Sequence, residues 1–192
     1  MRFAALVSVL LVLTVGLPQD VEAGRNSPRI DMLRARLDND RVLVSWHLSW
    51  PEYNWFSQKS VGLPPKILDR LESGNEVKFR YTIEVNRPAG LAAKSLGVTT
   101  IKIYAKYDPT TGRYSVRRVI KYKGKPSDTF QDERETAALD KLGWWMTAFE
   151  DIPVYYEGRP KGVSVYTSLN GNPFRVREAY RLLPPEPEPS LP

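Results

Sequence analysis

The chain has no cysteine and a single histidine, His47, among its 192 residues. The first absence excludes disulfides and any lipid-modified cysteine. Together they exclude the common soft metal sites, which need several thiolate or imidazole ligands. No G-x-S-x-G turn, Ser-x-x-Lys pair, H-E-x-x-H helix, P-loop or G-x-G-x-x-G loop occurs either, so the familiar nucleophile, zinc-protease and nucleotide signatures are missing. No metal and no cofactor is expected. His47 lies between Ser45 and Ser49 on the polar side of an alternating segment, the pattern of an exposed surface histidine rather than a catalytic base. Long hydrophobic runs are also scarce: the only one is Phe3 to Leu17.

That run follows Arg2, is broken by Pro18 and leads to Val21-Glu22-Ala23 before Gly24. A short positive start, an apolar stretch and a small-x-small site make up a secretory signal. Residues 1–23 are therefore expected to be a signal peptide cleaved after Ala23, followed by a linker, 24–28. The alternative is an uncleaved anchor, for which the run is shorter than the ~20 residues that span a bilayer comfortably. Cleavage would remove Arg2, Asp20 and Glu22, raising the formal charge from +6. The expected compartment is periplasmic, or the outer side of the cytoplasmic membrane.

From residue 29 to 183 the dominant hydrophobic period is two, which predicts one β-rich domain. Val42, Val44, Trp46, Leu48 and Trp50 alternate with polar residues after an Asp38-Asn39-Asp40 turn. Val77, Phe79, Tyr81, Ile83 and Val85 form the cleanest half-buried strand, ending at Arg87-Pro88. Thr99 to Tyr107 and Tyr114 to Tyr122 form a hairpin around Asp108-Pro109-Thr110-Thr111-Gly112, with Gly112 where a left-handed residue is wanted. Pro64-Pro65 opens a short helix carrying Ile67, Leu68 and Leu71 and stopped by Gly74. A longer amphipathic helix is predicted from Phe130 to Phe149, its apolar stripe running through Leu142 and Met146. Asp132, Glu133 and Glu135 would then sit at the favourable end of its dipole. The reading for Arg177 to Leu183 stays open, and residues 184–192, rich in Pro and Glu, are expected to be an extended, disordered tail. The sum is a mainly β (α+β) fold, an antiparallel, sandwich-like domain with one amphipathic and one short helix.

Two groups of side chains have binding chemistry. Tyr53, Trp55 and Phe56 follow Pro51 in a loop; exposed, they could stack on a sugar or dock at a lipid interface, and buried, they are packing. Trp144 and Trp145 are adjacent on the predicted helix, so they cannot both face inward. Lys102, Lys106, Arg113, Arg117, Arg118, Lys121, Lys123 and Lys125 crowd the second hairpin and its exit, interleaved with Tyr104 and Tyr122. Export makes nucleic acid a poor partner for them, and an anionic membrane surface or an acidic envelope protein a better one. A plain solvated strand face is the other reading. The hairpin itself holds hardly any acid besides Asp108.

Leu71-Glu72-Ser73-Gly74 ahead of a strand, Tyr107-Asp108-Pro109-Thr110-Thr111-Gly112-Arg113-Tyr114-Ser115-Val116, Ile152-Pro153-Val154 and the closing Leu183-Pro184-Pro185 occur in this order. This ordered set resembles the bacterial family catalogued as domain of unknown function 4390. The resemblance implies an exported, envelope-associated protein and transfers no catalytic residue. The expected role is a non-enzymatic module binding a protein partner or an anionic membrane surface. The alternative is a cofactor-free hydrolase acting on a cell-wall polymer, which would need paired carboxylates in one cleft.

Overall fold

Strict alternation of apolar and polar residues gives each strand one buried and one wet face, and two such sets of strands meet here across a common core. The computed structural model describes residues 28–50, 63–89, 92–123, 129–170 and 172–182. The expected signal peptide, the Tyr53, Trp55 and Phe56 loop, Lys125 and the Pro/Glu tail lie outside these residues. Among the described residues no helix is long and apolar enough to cross a membrane.

The elements in chain order are β1 (Arg29–Asp38), β2 (Arg41–Ser49), α1 (Pro65–Glu72), β3 (Val77–Ala89), β4 (Ala92–Asp108), β5 (Arg113–Tyr122), β6 (Thr129–Thr136), α2 (Leu139–Thr147), β7 (Ala148–Tyr155), β8 (Gly162–Leu169) and β9 (Asn172–Arg181). They build a three-stranded sheet, β1-β2-β7, and a six-stranded sheet, β6-β5-β4-β3-β8-β9. Every pairing is antiparallel. The fold is mainly β and sandwich-like, with two helices, as the alternation predicts.

The core lies between the sheets. Val42, Val44, Trp46 and Leu48 of β2 are buried with Val77, Phe79, Tyr81, Ile83 and Val85 of β3 and with Ile101, Ile103 and Ala105 of β4. Trp46 stacks on Phe149 of β7 at 4.5 Å between ring centroids, and Tyr81 meets Phe149 edge-on at 4.8 Å. The fully buried Tyr81 hydroxyl donates to the Met146 carbonyl at 2.9 Å, as a phenol removed from water must. Two close approaches lock the sheets at one end. Thr99 Oγ1 donates to the Pro153 carbonyl at 2.9 Å, and a Cβ at Gly97 would stand 2.0 Å from the Tyr155 carbonyl oxygen. Only glycine fits there.

Helix α1 follows the sequence reading, with proline in its first turn, Ile67 and Leu71 buried, and Gly74 at φ 78° beyond its end. The long helix expected over 130–149 does not form. Residues 129–136 are strand β6, α2 is confined to Leu139–Thr147, and Phe149 belongs to β7. Gln131-Asp132-Glu133-Arg134-Glu135 offers a helix no apolar stripe. Paired with β5, the same segment satisfies its backbone and presents a charged sheet edge, which discourages further strand addition. Asp132, Glu133 and Glu135 are therefore cross-strand partners of β5 and not acids at a helix start. Strand β3 also continues past Arg87-Pro88, pairing through Ala89↔Ala92 with β4. Its pairing with β8 ends at Asn86, so Pro88 sits where one side of the strand is open. The ambiguous 177–183 segment falls largely in β9.

Candidate functional site

The basic hairpin maps onto β4, β5 and the turn between them. That turn is closed by Asp108, which accepts hydrogen bonds from the Thr110 N–H at 2.8 Å and the Thr111 hydroxyl at 3.0 Å. These bonds hold its carboxyl below the usual range. Gly112, at φ 65°, supplies the left-handed residue.

Ile101, Ile103, Ala105, Tyr114, Val116 and Ile120 are buried in the core, so the alternate residues occupy the opposite, outer face of the large sheet. Lys102, Lys106, Arg113, Arg117 and Lys121 stand there together. The register extends the set. Arg80 of β3 is directly opposite Lys102, which is opposite Val119, which is opposite Gln131. One row over, Lys78, Tyr104, Arg117 and Glu133 are in line. The Tyr104 ring lies under the Arg117 guanidinium, 4.6 Å to its centroid, and 5.7 Å from Lys78 Nζ. Lys78 and Arg80 were missed in the sequence because they precede the hairpin by some twenty residues. Their alternation with Val77, Phe79 and Tyr81 was the signal that puts them outside.

Charge matching on this face is uneven. At its margins Lys78 pairs with Glu76 at 3.0 Å, and Arg113 with Glu135 at 3.9 Å. Glu133 stands opposite Arg117. Strand β6 thus supplies acid that the hairpin's own sequence lacks. In the middle, Arg80, Lys102, Lys106 and Lys121 make no ion pair among the described residues. Like charges directly opposite, as at Arg80 and Lys102, cost roughly 0.2–1 kcal/mol in a sheet. The outer face therefore carries a small electrostatic debt that an anion would relieve.

Two residues leave the expected patch. Arg118, one position after Arg117, points the other way, into the join between α2 and β7. Its Nε donates to the Trp145 carbonyl at 2.8 Å, its Nη2 contacts the same oxygen and reaches the Ala148 carbonyl at 3.5 Å, and its guanidinium lies 5.0 Å from the Phe149 centroid. It caps the C-terminal carbonyls of α2, the negative end of that helix. Burial pushes its pKa down. It is a structural cation. Lys123 is exposed past the end of β5, its N–H on the Val98 carbonyl at 2.9 Å, beside a separate groove with Asp40, Tyr156 and Glu157.

His47 is not the exposed histidine expected. It is half-buried, stacked against Trp144 at 6.1 Å, and its pKa is lowered by burial, a little offset by Asp31. Trp144 is 41% exposed and Trp145 half-buried, which fits two adjacent indoles sharing one helix. No group of three or more potential metal ligands occurs among the described residues. Comparison of the chain with models of protein families, with curated proteins and with solved structures finds no match to any of them.

Proposed function

We propose that this protein is an exported, envelope-associated interaction module, not an enzyme, whose outer β3-β4-β5 face rests on an anionic membrane surface. The observation that carries this reading is the opposed Arg80–Lys102 pair with Lys121 and Lys106 around it, exposed or half-exposed on a sheet face and without a carboxylate partner among the described residues. Seven cations from three strands share one side of the sheet there, with Lys78 and Arg113 ion-paired at its margins, a spread that favours an anionic surface over a single small anion. The Phe3 to Leu17 run and the Val21-Glu22-Ala23 site support export. Near a charged bilayer each such Lys or Arg contributes about 1 kcal/mol.

The test is co-sedimentation of the protein, lacking residues 1–23, with vesicles containing acidic phospholipid. Arg80→Gln combined with Lys102→Gln should weaken binding about 30-fold, since roughly 2 kcal/mol is lost. Binding of the unaltered protein should fade as salt shortens the Debye length below ~10 Å. Equal sedimentation of both proteins, or equal binding to zwitterionic vesicles, refutes the lipid reading. Capture of an acidic protein by this face with no vesicle binding replaces lipid by that partner.

A further inference from the structure

The outer face of the other sheet holds a concavity of different character. Strand β2 is bracketed there by two breaks in register, with β1 between Asp31 and Arg34 and with β7 between Val44 and Trp46. A bulge bends its strand and re-aims side chains, and bulges gather beside sites. Four described non-glycine residues have positive φ. Asn39 and Asn170 belong to turns, where asparagine is at ease. The other two, Met32 at φ 55° and Asp151 at φ 47°, both line the groove between these bulges. Aspartate tolerates left-handed backbone, but methionine gains nothing from it, and such a residue is characteristic of places that use the strain.

The groove encloses about 360 Å³ and is bounded by Met32, Arg34, His47, Trp144, Glu150 and Asp151, a volume in the range of small-ligand sites. Trp144 and Met32 expose 41% and 68% of their surface, so an indole and a thioether stand in solvent beside polar groups. The charges nearly cancel. Asp151 is held by Arg36 at 3.1 Å, which leaves Arg34 against Glu150. Burial lowers the His47 pKa and so favours the neutral imidazole, which has one donor and one acceptor nitrogen. Ser45 Oγ, on the groove floor, accepts the Asp151 N–H at 3.0 Å. A lining of this kind attracts neither anions nor cations. It offers one flat apolar platform ringed by planar donors and acceptors.

We infer that this groove binds a neutral saccharide, a pyranose ring lying against the Trp144 indole with its hydroxyls bonded to Arg34, Glu150 and Asp151. The site lies on the opposite side of the sandwich from the basic face and does not depend on it. The experiment is titration of the protein with glucose-, galactose- and N-acetylglucosamine-based mono- and disaccharides, followed by the NMR shifts of the His47 ring and the Trp144 indole N–H. At least one sugar should shift both resonances saturably. Trp144→Ala and Glu150→Gln, both at exposed positions, should each weaken that binding about tenfold or more. Arg80→Gln with Lys102→Gln should leave it unchanged. No saturable shift with any of these sugars overturns the inference, as does binding that survives Trp144→Ala. Binding abolished by the Arg80 and Lys102 changes would assign it to the basic face and overturn it equally.

Discussion

Arg117 and Arg118 are neighbours in sequence with opposite fates, and replacing each in turn by methionine separates folding from surface function. Methionine keeps most of the apolar length of arginine and removes the charge and donors. At position 118 the change strips the Trp145 and Ala148 carbonyls of their guanidinium donor. Hydrogen bonds to a charged group contribute about 1.5–3 kcal/mol, and a buried acceptor left unpaired costs a further 1–3. The contact with Phe149 at 5.0 Å adds about 0.5–2. Against these losses, the variant no longer desolvates a cation whose pKa burial has already lowered, an offset of several kcal/mol. The net expected loss is about 2–4 kcal/mol, which for a domain of this size lowers Tm by roughly 5–12 °C. Arg117→Met, on the outer face over Tyr104, should cost under about 1 kcal/mol. Thermal unfolding followed by near-ultraviolet circular dichroism measures both. High salt should not rescue Arg118→Met, because the lost contacts are partly buried and so only weakly screened. A Tm within about 2 °C of the unaltered protein for Arg118→Met, or an equal fall for Arg117→Met, would refute the placement of these two side chains.

Two further outcomes follow from the same packing. Gly97→Ala places a methyl against the Tyr155 carbonyl, a backbone atom that cannot swing aside, and should cost about 1–3 kcal/mol in denaturant unfolding; full stability would show that β4 and β7 are not so close. His47 has a folded pKa below its unfolded value of 6.5, so the unfolded chain takes up the proton first as pH falls. Stability should therefore be flat above about pH 7 and decline below 6.5. The His47-dependent part should be absent in His47→Gln, and identical Tm–pH curves for the two proteins would contradict the burial.

Period-two alternation is a local property of the chain, and it determined most of this fold. Val42 to Trp50, Val77 to Val85 and Thr99 to Tyr107 each declared one inward face, because a strand's side chains alternate whatever it pairs with. The same alternation held the answer for Arg118, which is in phase with the buried Val116 and Ile120 and out of phase with Arg117; counting charge along the hairpin hid it. Strand β6 was not legible in this way. Its Gln-Asp-Glu-Arg-Glu run has no apolar face, and only the open edge of β5, with Arg117 opposite Glu133, makes a strand of it. That pairing also brings acid to the margin of the basic face, just as β3 brings Arg80 across from Lys102. The groove beneath Trp144 depends on register breaks on both sides of β2, joining residues more than a hundred positions apart. Which faces are apolar is written locally, one residue in two. Which strands meet, and so which charges and rings stand together, is settled by non-local pairing, which only the folded chain provides.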